Sequence, residues 1–198
     1  MSGRARQASL ERRTRETEVS LELGLDGTGE YEVSTGIAFF DHMLESFAKH
    51  GSFDLRLRAK GDVAVDLHHT VEDVGIVLGT AIRQALGSAA GIRRYGYALL
   101  PMAEAKVEVA VDVSSRPYLV YRVELENDRV GDFDVSLAED FLYALASNAG
   151  LDLHVELRYG RSPHHVVEAI FKGVARALRQ ALELDPRGSG LPSVKGAL

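Results

Sequence analysis

The feature that most constrains this chain is a short histidine-rich motif that occurs twice. The run His68-His69-Thr70-Val71-Glu72-Asp73 is echoed in the second half of the chain by His164-His165-Val166-Val167-Glu168. On a helix, residues four apart project from the same face, so His68 and Glu72 can bind one ion. His69 points about 100° away from His68 and can bind a second ion. The sequence therefore predicts two helices that each begin with a cluster of metal-binding side chains.

The donor chemistry of the motif leaves the identity of the metal open. Imidazole and carboxylate groups suit manganese, iron, cobalt, nickel and zinc, and these ligands alone do not choose among them. A single His-His pair is usually explained by a helix cap, a surface pair or a hydrogen-bonded core histidine. A second copy with the same spacing favours metal binding. The zinc-protease pattern His-Glu-x-x-His does not fit, because here the Glu comes last.

The two motifs belong to a longer internal repeat. The first half is predicted to contain a strand at 17–26, a second strand at 31–34 that closes a hairpin with it, a helix at 39–49, a strand at 53–58 and a His-His helix that ends near residue 86. The second half is predicted to contain strands near 97–100, 105–113 and 117–125, a helix at 137–148, a strand at 151–159 and a His-His helix to about residue 184. We therefore expect an α+β fold built from a duplicated β-β-α-β-α unit, with sheets packed on helices.

The halves are expected to form a single domain over residues 1–198. We place the first half-repeat at 11–90 and the second at 91–185, and align Asp41-His42-Met43-Leu44 with Asp140-Phe141-Leu142-Tyr143. No Pro-rich or Ser-rich linker separates the halves, so independent domains are not expected. Residues 1–10 are predicted to be a mobile arm, and residues 186–198 a tail that is flexible or ordered by a ligand.

Composition narrows the classes of partner. The chain has 198 residues, of which 45% are hydrophobic, enough for one well-filled domain. A net charge of −6 argues against nucleic acid as the main partner. No apolar stretch approaches the ~20 residues of a membrane span, and the polar N-terminus is not a secretory signal. Since there is no cysteine, disulfides and thiolate metal sites are excluded, which fits a cytoplasmic location.

Isolated histidines and basic residues add further candidates. His42, at the head of its helix, and His154, within a strand, are candidates for a third imidazole on each metal, although either alone would be explained as a buried, hydrogen-bonded histidine. Fork-shaped guanidinium groups with a hydroxyl and ammonium groups would form a phosphate seat. The residues available for it are Arg93, Arg94, Arg116, Lys172, Ser193 and Lys195. From sequence position alone, ordinary solvated charge explains them better.

A series of further short runs carries a resemblance to a known family. They are Arg15-Glu16-Thr17, Leu25-Asp26-Gly27-Thr28-Gly29, Asp41-His42-Met43-Leu44, His50-Gly51, Gly61-Asp62, Gly91-Ile92-Arg93-Arg94-Tyr95-Gly96, Pro101-Met102, Arg116-Pro117, Phe171-Lys172, Pro192-Ser193 and Lys195-Gly196. Together with both His-His motifs, and in this order, they resemble the imidazoleglycerol-phosphate dehydratase family from residue 11 to residue 198.

The resemblance implies an activity and a set of site residues. The family is a lyase of histidine biosynthesis that removes water from D-erythro-imidazole-glycerol phosphate and gives imidazole-acetol phosphate. It binds two manganese ions, which the resemblance assigns to His68, His69, Glu72, His164, His165 and Glu168, joined by His42 and His154. Contacts to the substrate phosphate are implied for Arg94, Arg116, Lys172, Ser193 and Lys195. The implied catalytic residues are the acid–base residue Glu16 and the ligands His42, His68, Glu72 and Glu168.

The resemblance also implies a fold and an assembly. The expected fold is a duplicated α+β unit of the ribosomal protein S5 domain 2-like kind. The expected partner, apart from the small phosphorylated substrate, is the chain itself, in a shell of 24 subunits built from trimers with active sites between subunits. Nucleic acid and membrane are not expected partners, and the expected location is the cytoplasm.

Five positions depart from the family pattern. Ala103, Ser115, Ser136, Ser162 and Val194 stand where Asp, Gly, Glu, Asn and Thr are usual. The lost acid at 103 matters most if it orients a ligand or a proton donor near the metals. A serine at 115 can displace the following arginine if the turn requires a positive φ. None of the five is a proposed metal ligand.

Two other functions remain open. A metal-dependent phosphoesterase also uses two ions and cationic groups, although its cluster is expected to be richer in carboxylates. Alternatively, the metals only hold an assembly together. An assay with imidazole-glycerol phosphate separates the three hypotheses, since it would give loss of water, release of phosphate or neither.

Overall fold

The computed structural model describes residues 6–188 and 190–196. The elements of the first half are β1 Gln7–Arg13, β2 Thr17–Gly24, β3 Tyr31–Ser34, α1 Ala38–Gly51, β4 Asp54–Gly61 and α2 His68–Leu86. Those of the second half are β5 Tyr95–Met102, β6 Ala105–Val113, β7 Tyr118–Arg122, β8 Arg129–Val130, β9 Phe133–Asp134, α3 Ser136–Ala149, β10 Leu151–Tyr159 and α4 Pro163–Leu182. Within the described residues, no helix combines the length and apolar character needed to cross a membrane.

The predicted duplication is confirmed by the topology of the two large sheets. Their strand orders, β1-β2-β4-β3 and β5-β6-β10-β7, are the same once each strand is matched to its counterpart in the other half. Each half follows the order β-β-β-α-β-α, apart from the small β8-β9 ribbon, and so has one strand more than the predicted unit. The sheets are antiparallel except for β3 beside β4 and β7 beside β10.

The extra strand of the first half is β1, which corrects the prediction of a mobile arm over residues 1–10. Residues 1–5 lie outside the described residues, but residues 7–10 are paired with β2 in a register that runs from Gln7 opposite Gly24 to Arg13 opposite Glu18. Only Ala8 and Leu10 of this strand pack against the core. Such a weak alternation explains why the sequence pattern did not reveal the strand.

The predicted hairpin between β2 and β3 is wrong. Strand β4 lies between them and pairs with β3 in parallel, so that the connection from β2 to β3 crosses the start of β4. The side chain of Asp54 holds that crossing, because its Oδ1 accepts the backbone N–H groups of Thr28, Gly29 and Glu30 at 2.9, 3.2 and 3.1 Å. The glycine-rich turn therefore makes a crossover instead of a tight reversal.

The four helices lie between the sheets and are paired across the two halves. Helix α2 covers β1 and β2, α4 covers β5 and β6, and the helix pairs are α1 with α4 and α2 with α3. Phe40, Phe141 and Phe171 meet at the centre with ring centroids 5.1–6.4 Å apart. Each His-His helix is thus packed against the other half's helix, which brings a side chain from that half to each motif.

Helix α2 approaches α3 closely because two of its residues are glycine. A Cβ atom at Gly75 would lie 2.7 Å from the carbonyl oxygen of Phe141, and one at Gly79 would lie 2.5 Å from that of Leu145. The helix ends at Leu86 before Gly87, as predicted. The strand predicted at 151–159 is also confirmed, as β10.

Candidate functional site

The second His-His motif forms a compact donor cluster at the start of α4. Pro163 is the first residue of this helix, and the N-cap Ser162 accepts the backbone N–H of His165 through its Oγ atom at 3.5 Å. His164 Nε2 lies 3.1 Å from Glu168 Oε2, and His42 Nε2 of α1 lies 3.6 Å from the same oxygen. The start of α1 is fixed by Asp41, whose carboxylate accepts the backbone N–H of Thr35 at 2.7 Å. The packing of α1 against α4 therefore places His42 next to the second His-His motif.

The chemistry of this cluster fits a divalent metal ion. Ligand atoms of His42, His164 and Glu168 all lie within 4.8 Å of one another, and in the described part of the chain this is the one group of three such residues. Two imidazole nitrogens and one carboxylate oxygen suit the first-row divalent metals. Glu168 is buried, which raises the pKa of its carboxyl, but a hydrogen bond from Lys172 Nζ at 2.6 Å and the charges of Lys172 and His42 outweigh burial and lower it overall.

The first motif has a different third member, which the sequence did not reveal. His68 Nε2 lies 3.7 Å from Glu72 Oε2, and His68 Nδ1 lies 3.2 Å from Asp140 Oδ2. Asp140 is the fifth residue of α3, as His42 is the fifth residue of the equally long α1. Asp140 is thus the structural counterpart of His42, and the predicted alignment of Asp41 with Asp140 is wrong by one residue. Alignment of the two helix starts would have found it.

A carboxylate stands behind the remaining histidine of each motif. Asp62, just after β4, places its oxygens 3.1 and 3.2 Å from His69 Nδ1, and Glu104, in the β5–β6 turn, places one 2.7 Å from His165 Nδ1. The hydrogen bond to Asp62 raises the pKa of His69. Hydrogen bonds from the backbone of Ser162 and from His165 lower the pKa of Glu104 to about 2. A carboxylate on Nδ1 fixes the ring and leaves Nε2 for a metal.

These contacts decide which acid of the β5–β6 turn matters. An acid at 103 would matter most if it oriented a ligand, but the contact to His165 is made by Glu104. Ala103 occupies the turn with φ of +47°, a conformation that an aspartate tolerates better than an alanine. Ser115 has φ of +58°, so the turn before Arg116 does require the positive φ that a glycine adopts without strain.

His154 is not brought to either motif within one subunit. It is exposed on β10, opposite Ala110 and Val120 of the neighbouring strands, on the face that points away from the helices. Leu153 and Val155, beside it, are buried in the core. Its assignment as a metal ligand stays a prediction.

The predicted phosphate residues are divided between two regions. Arg94 donates from Nε and Nη2 to Asp112 at 2.7 and 3.0 Å and from Nη1 to the carbonyl oxygen of Pro192 at 2.9 Å, so it anchors the tail that carries Ser193 and Lys195. In that tail the backbone N–H of Lys195 donates to Ser193 Oγ at 3.2 Å. Arg116 is exposed in the loop after β6, whereas Lys172 lies on α4 beside Glu168.

The region of Arg94 and the tail lies at the C-terminal end of α4, whereas Lys172 lies at the middle of that helix. The backbone N–H of Arg94 donates to the carbonyl oxygen of Ala181 at 2.9 Å, near the end of the helix, whereas His165 lies at its start. Helical rise puts these positions ~24 Å apart. One small substrate cannot reach both Arg94 and His165 of the same subunit.

Glu16, the predicted acid–base residue, lies beside the first motif. It is exposed in the turn between β1 and β2, and its Oε2 is 4.0 Å from His69 Nδ1.

Two other departures from the family pattern have local hydrogen bonds. Ser162 caps α4, and Ser136 Oγ donates to Asp134 Oδ1 at 2.7 Å at the start of α3. Val194 is fully exposed, and nothing in the structure explains it.

Comparison with known proteins gives matches over nearly the whole chain. The sequence model described as imidazoleglycerol-phosphate dehydratase matches residues 35–178. The chain is 54% identical over 194 residues to the imidazoleglycerol-phosphate dehydratase of Citrifermentans bemidjiense, covering 98% of this chain and 100% of that protein. It is 55% identical over 194 residues to that of Azorhizobium caulinodans, covering 98% of each.

Solved structures match the fold as well. Imidazoleglycerol-phosphate dehydratase from Staphylococcus aureus superposes with a TM-score of 0.82 at 35% identity, covering 90% of this chain and 99% of that one. The protein from Pyrococcus furiosus, solved in complex with (S)-C348, gives a TM-score of 0.83 at 37% identity, covering 96% and 100%.

Proposed function

Because the chain belongs to the imidazoleglycerol-phosphate dehydratase family, we propose that it removes water from D-erythro-imidazole-glycerol phosphate at a site that holds two divalent metal ions. Membership makes the chain a hydro-lyase of histidine biosynthesis. The proposed product is imidazole-acetol phosphate, and the proposed metal is Mn²⁺. The observation that carries the metal part of the proposal is the convergence of His42, His164 and Glu168.

The residues that would hold the ions fall into two half-sites. The second half-site comprises His42, His164, His165 and Glu168. The first comprises His68, His69 and Glu72, and we propose that Asp140, 3.2 Å from His68 Nδ1, orients that ring as Asp62 orients His69. His154 is kept as a proposed ligand contributed across a subunit boundary.

A complete site is proposed to form between subunits. Each half-site alone offers few donors, and Arg94, which holds the tail with Ser193 and Lys195, bonds to Ala181 of α4, ~24 Å along the helix from His165 of the second half-site. Residues from different subunits must therefore combine around one substrate. We propose the assembly that the resemblance implies, 24 subunits built from trimers, located in the cytoplasm.

Each group has a role in the proposed reaction. The proton to be removed lies on a carbon with no adjacent carbonyl, so its acidity is too low for an unaided carboxylate. When bound, the two ions would supply Lewis acidity at the imidazole ring of the substrate. Glu16 transfers protons beside the first half-site as the hydroxyl and the carbon-bound proton depart and an enol becomes the ketone. Arg94, Arg116, Lys172, Ser193 and Lys195 form the proposed phosphate seat, which orients the reacting end.

Co-expression of two impaired variants, assayed at a substrate concentration at which neither alone turns over, tests this proposal. A chain with His165→Ala lacks a ligand of the second half-site, and a chain with Lys195→Ala lacks a phosphate contact. If each site takes these residues from different subunits, a mixed assembly regains about a quarter of the wild-type activity, because that fraction of sites receives both intact residues. If no activity returns while both variants assemble, the shared site is wrong. Release of phosphate in place of water loss would favour the phosphoesterase hypothesis.

A further inference from the structure

The turn that carries Glu16 is closed by its own hydrogen bonds. The backbone N–H of Thr14 donates to the carbonyl oxygen of Thr17 at 2.9 Å. Thr14 Oγ1 accepts the backbone N–H groups of Glu16 and Thr17 at 3.1 and 3.0 Å. The turn is thus a compact unit, and the Glu16 side chain on it is 57% exposed. Nothing within the turn itself fixes its distance from the first motif.

Asp73 fastens this turn to the helix that bears the first motif. It lies on α2 one helical turn after His69 and therefore on the same face. Its side chain is 10% exposed, and both of its oxygens are used. Oδ1 is 3.0 Å from Arg12 Nη2 at the end of β1, and Oδ2 accepts the hydroxyl of Thr17 at the start of β2. One carboxylate thus holds both strands that flank Glu16.

We infer that Asp73 is a positioning residue that sets the place of Glu16 relative to the first half-site. The inference rests on the proposed acid–base role of Glu16. Two contacts on one face of α2 then act together, with His69 facing Glu16 and Asp73 facing the base of the turn. Proton transfer depends on short distances, and a displacement of about 1 Å can cost about 100-fold in rate. The buried carboxylate of Asp73 thus has a purpose beyond stability, for which apolar packing often serves as well.

Kinetics of single and double variants test this inference in the metal-loaded protein. Asp73→Asn and Thr17→Val are each expected to lower kcat by about 10-fold to 100-fold, with KM and metal content unchanged. Thr17→Ser keeps the hydroxyl and is expected to keep kcat. In a Glu16→Gln background, Asp73→Asn is expected to cause no further loss, because the residue through which it acts is already disabled.

A matched control weakens β1 at its other end. Asp26 binds Arg6, with Arg6 Nε 2.8 Å from Asp26 Oδ2, far along the strand from Glu16. Asp26→Asn is expected to lower stability without lowering kcat. If Asp73→Asn does not fold, Thr17→Val and Thr17→Ser carry the comparison. Wild-type kcat in Asp73→Asn and Thr17→Val, or an equal loss with and without Glu16, overturns the inference. Wild-type kcat in Glu16→Gln overturns the acid–base role itself, which separates the two failures.

Discussion

The contact between Glu104 and His165 predicts how one substitution weakens metal binding. Glu104 Oε2 is 2.7 Å from His165 Nδ1, and its Oε1 accepts the backbone N–H groups of Ser162 and Arg161 at 2.7 and 3.3 Å. In Glu104→Gln, the amide oxygen can keep the backbone contacts, which turns the NH₂ group toward His165. The ring would then accept at Nδ1 and carry its proton on Nε2, the atom needed by the metal. Loss of such a partner costs about 10-fold to 100-fold in metal affinity.

Calorimetric titration with Mn²⁺ measures this loss. The control is Glu156→Gln, which makes the same change at a carboxylate paired with Arg122 and Arg158 and with no histidine. Equal Mn²⁺ affinity in wild type and Glu104→Gln would refute the argument from the tautomer.

Because the folded pKa of Glu104 lies at about 2, below its ordinary value of 4.5, its stabilising contribution is complete at neutral pH and is lost as the pH falls through that interval. The difference in unfolding free energy between wild type and Glu104→Gln should therefore shrink as the pH falls from 4.5 towards about 2.

Three further substitutions test other parts of the structure. His68→Ala is expected to abolish turnover and release metal, as followed by activity and metal analysis; an active, fully metallated variant would contradict the ligand assignment. Lys195→Ala is expected to weaken substrate binding with metal content unchanged, and equal wild-type affinity for the substrate and its dephosphorylated analogue would remove the phosphate seat. Gly79→Ala places a Cβ atom 2.5 Å from the carbonyl oxygen of Leu145. The added methyl group should destabilise the fold by ~1–3 kcal/mol through overpacking, which exceeds the ~1 kcal/mol gained from alanine's helix propensity, so Tm should fall. An unchanged Tm would show that α3 can move away from α2 at no cost.

The sequence predicted the elements whose signals are local. Helix α2 has a long apolar period and a terminal glycine, and both its start at His68 and its end at Leu86 were predicted. The pairing of β3 was missed because it depends on Asp54, which is distant in sequence and holds the crossover. A glycine-rich turn between two short strands favours a hairpin when read alone. The competing crossover is visible only in three dimensions.

The candidate site shows the same division. The His-His motifs and the place of His42 follow from helical spacing and duplication. Asp140 was missed because the alignment matched it to another aspartate, Asp41, whereas the equally long helices match it to His42. The phosphate residues could be picked by type, but the separation of Arg94 and the tail from Lys172 depends on the contacts of Arg94 with Asp112 and with Pro192.

The duplicated motifs do not produce two equivalent half-sites. In the second, Lys172 donates to Glu168 and offsets its charge, whereas the matching position of the first motif, one turn after Glu72, is Ile76. The first half-site also has Asp140 where the second has His42. Its carboxylates, Glu72 and Asp140, therefore have more uncompensated negative charge, which attracts a cation more strongly. Glu16 also lies beside the first half-site, so the half-site with more negative charge is the one next to the residue proposed to move protons. The second half-site instead has more histidines. Divergence after duplication thus separates the electrostatics of the two halves without changing the helical spacing that both need to bind a metal.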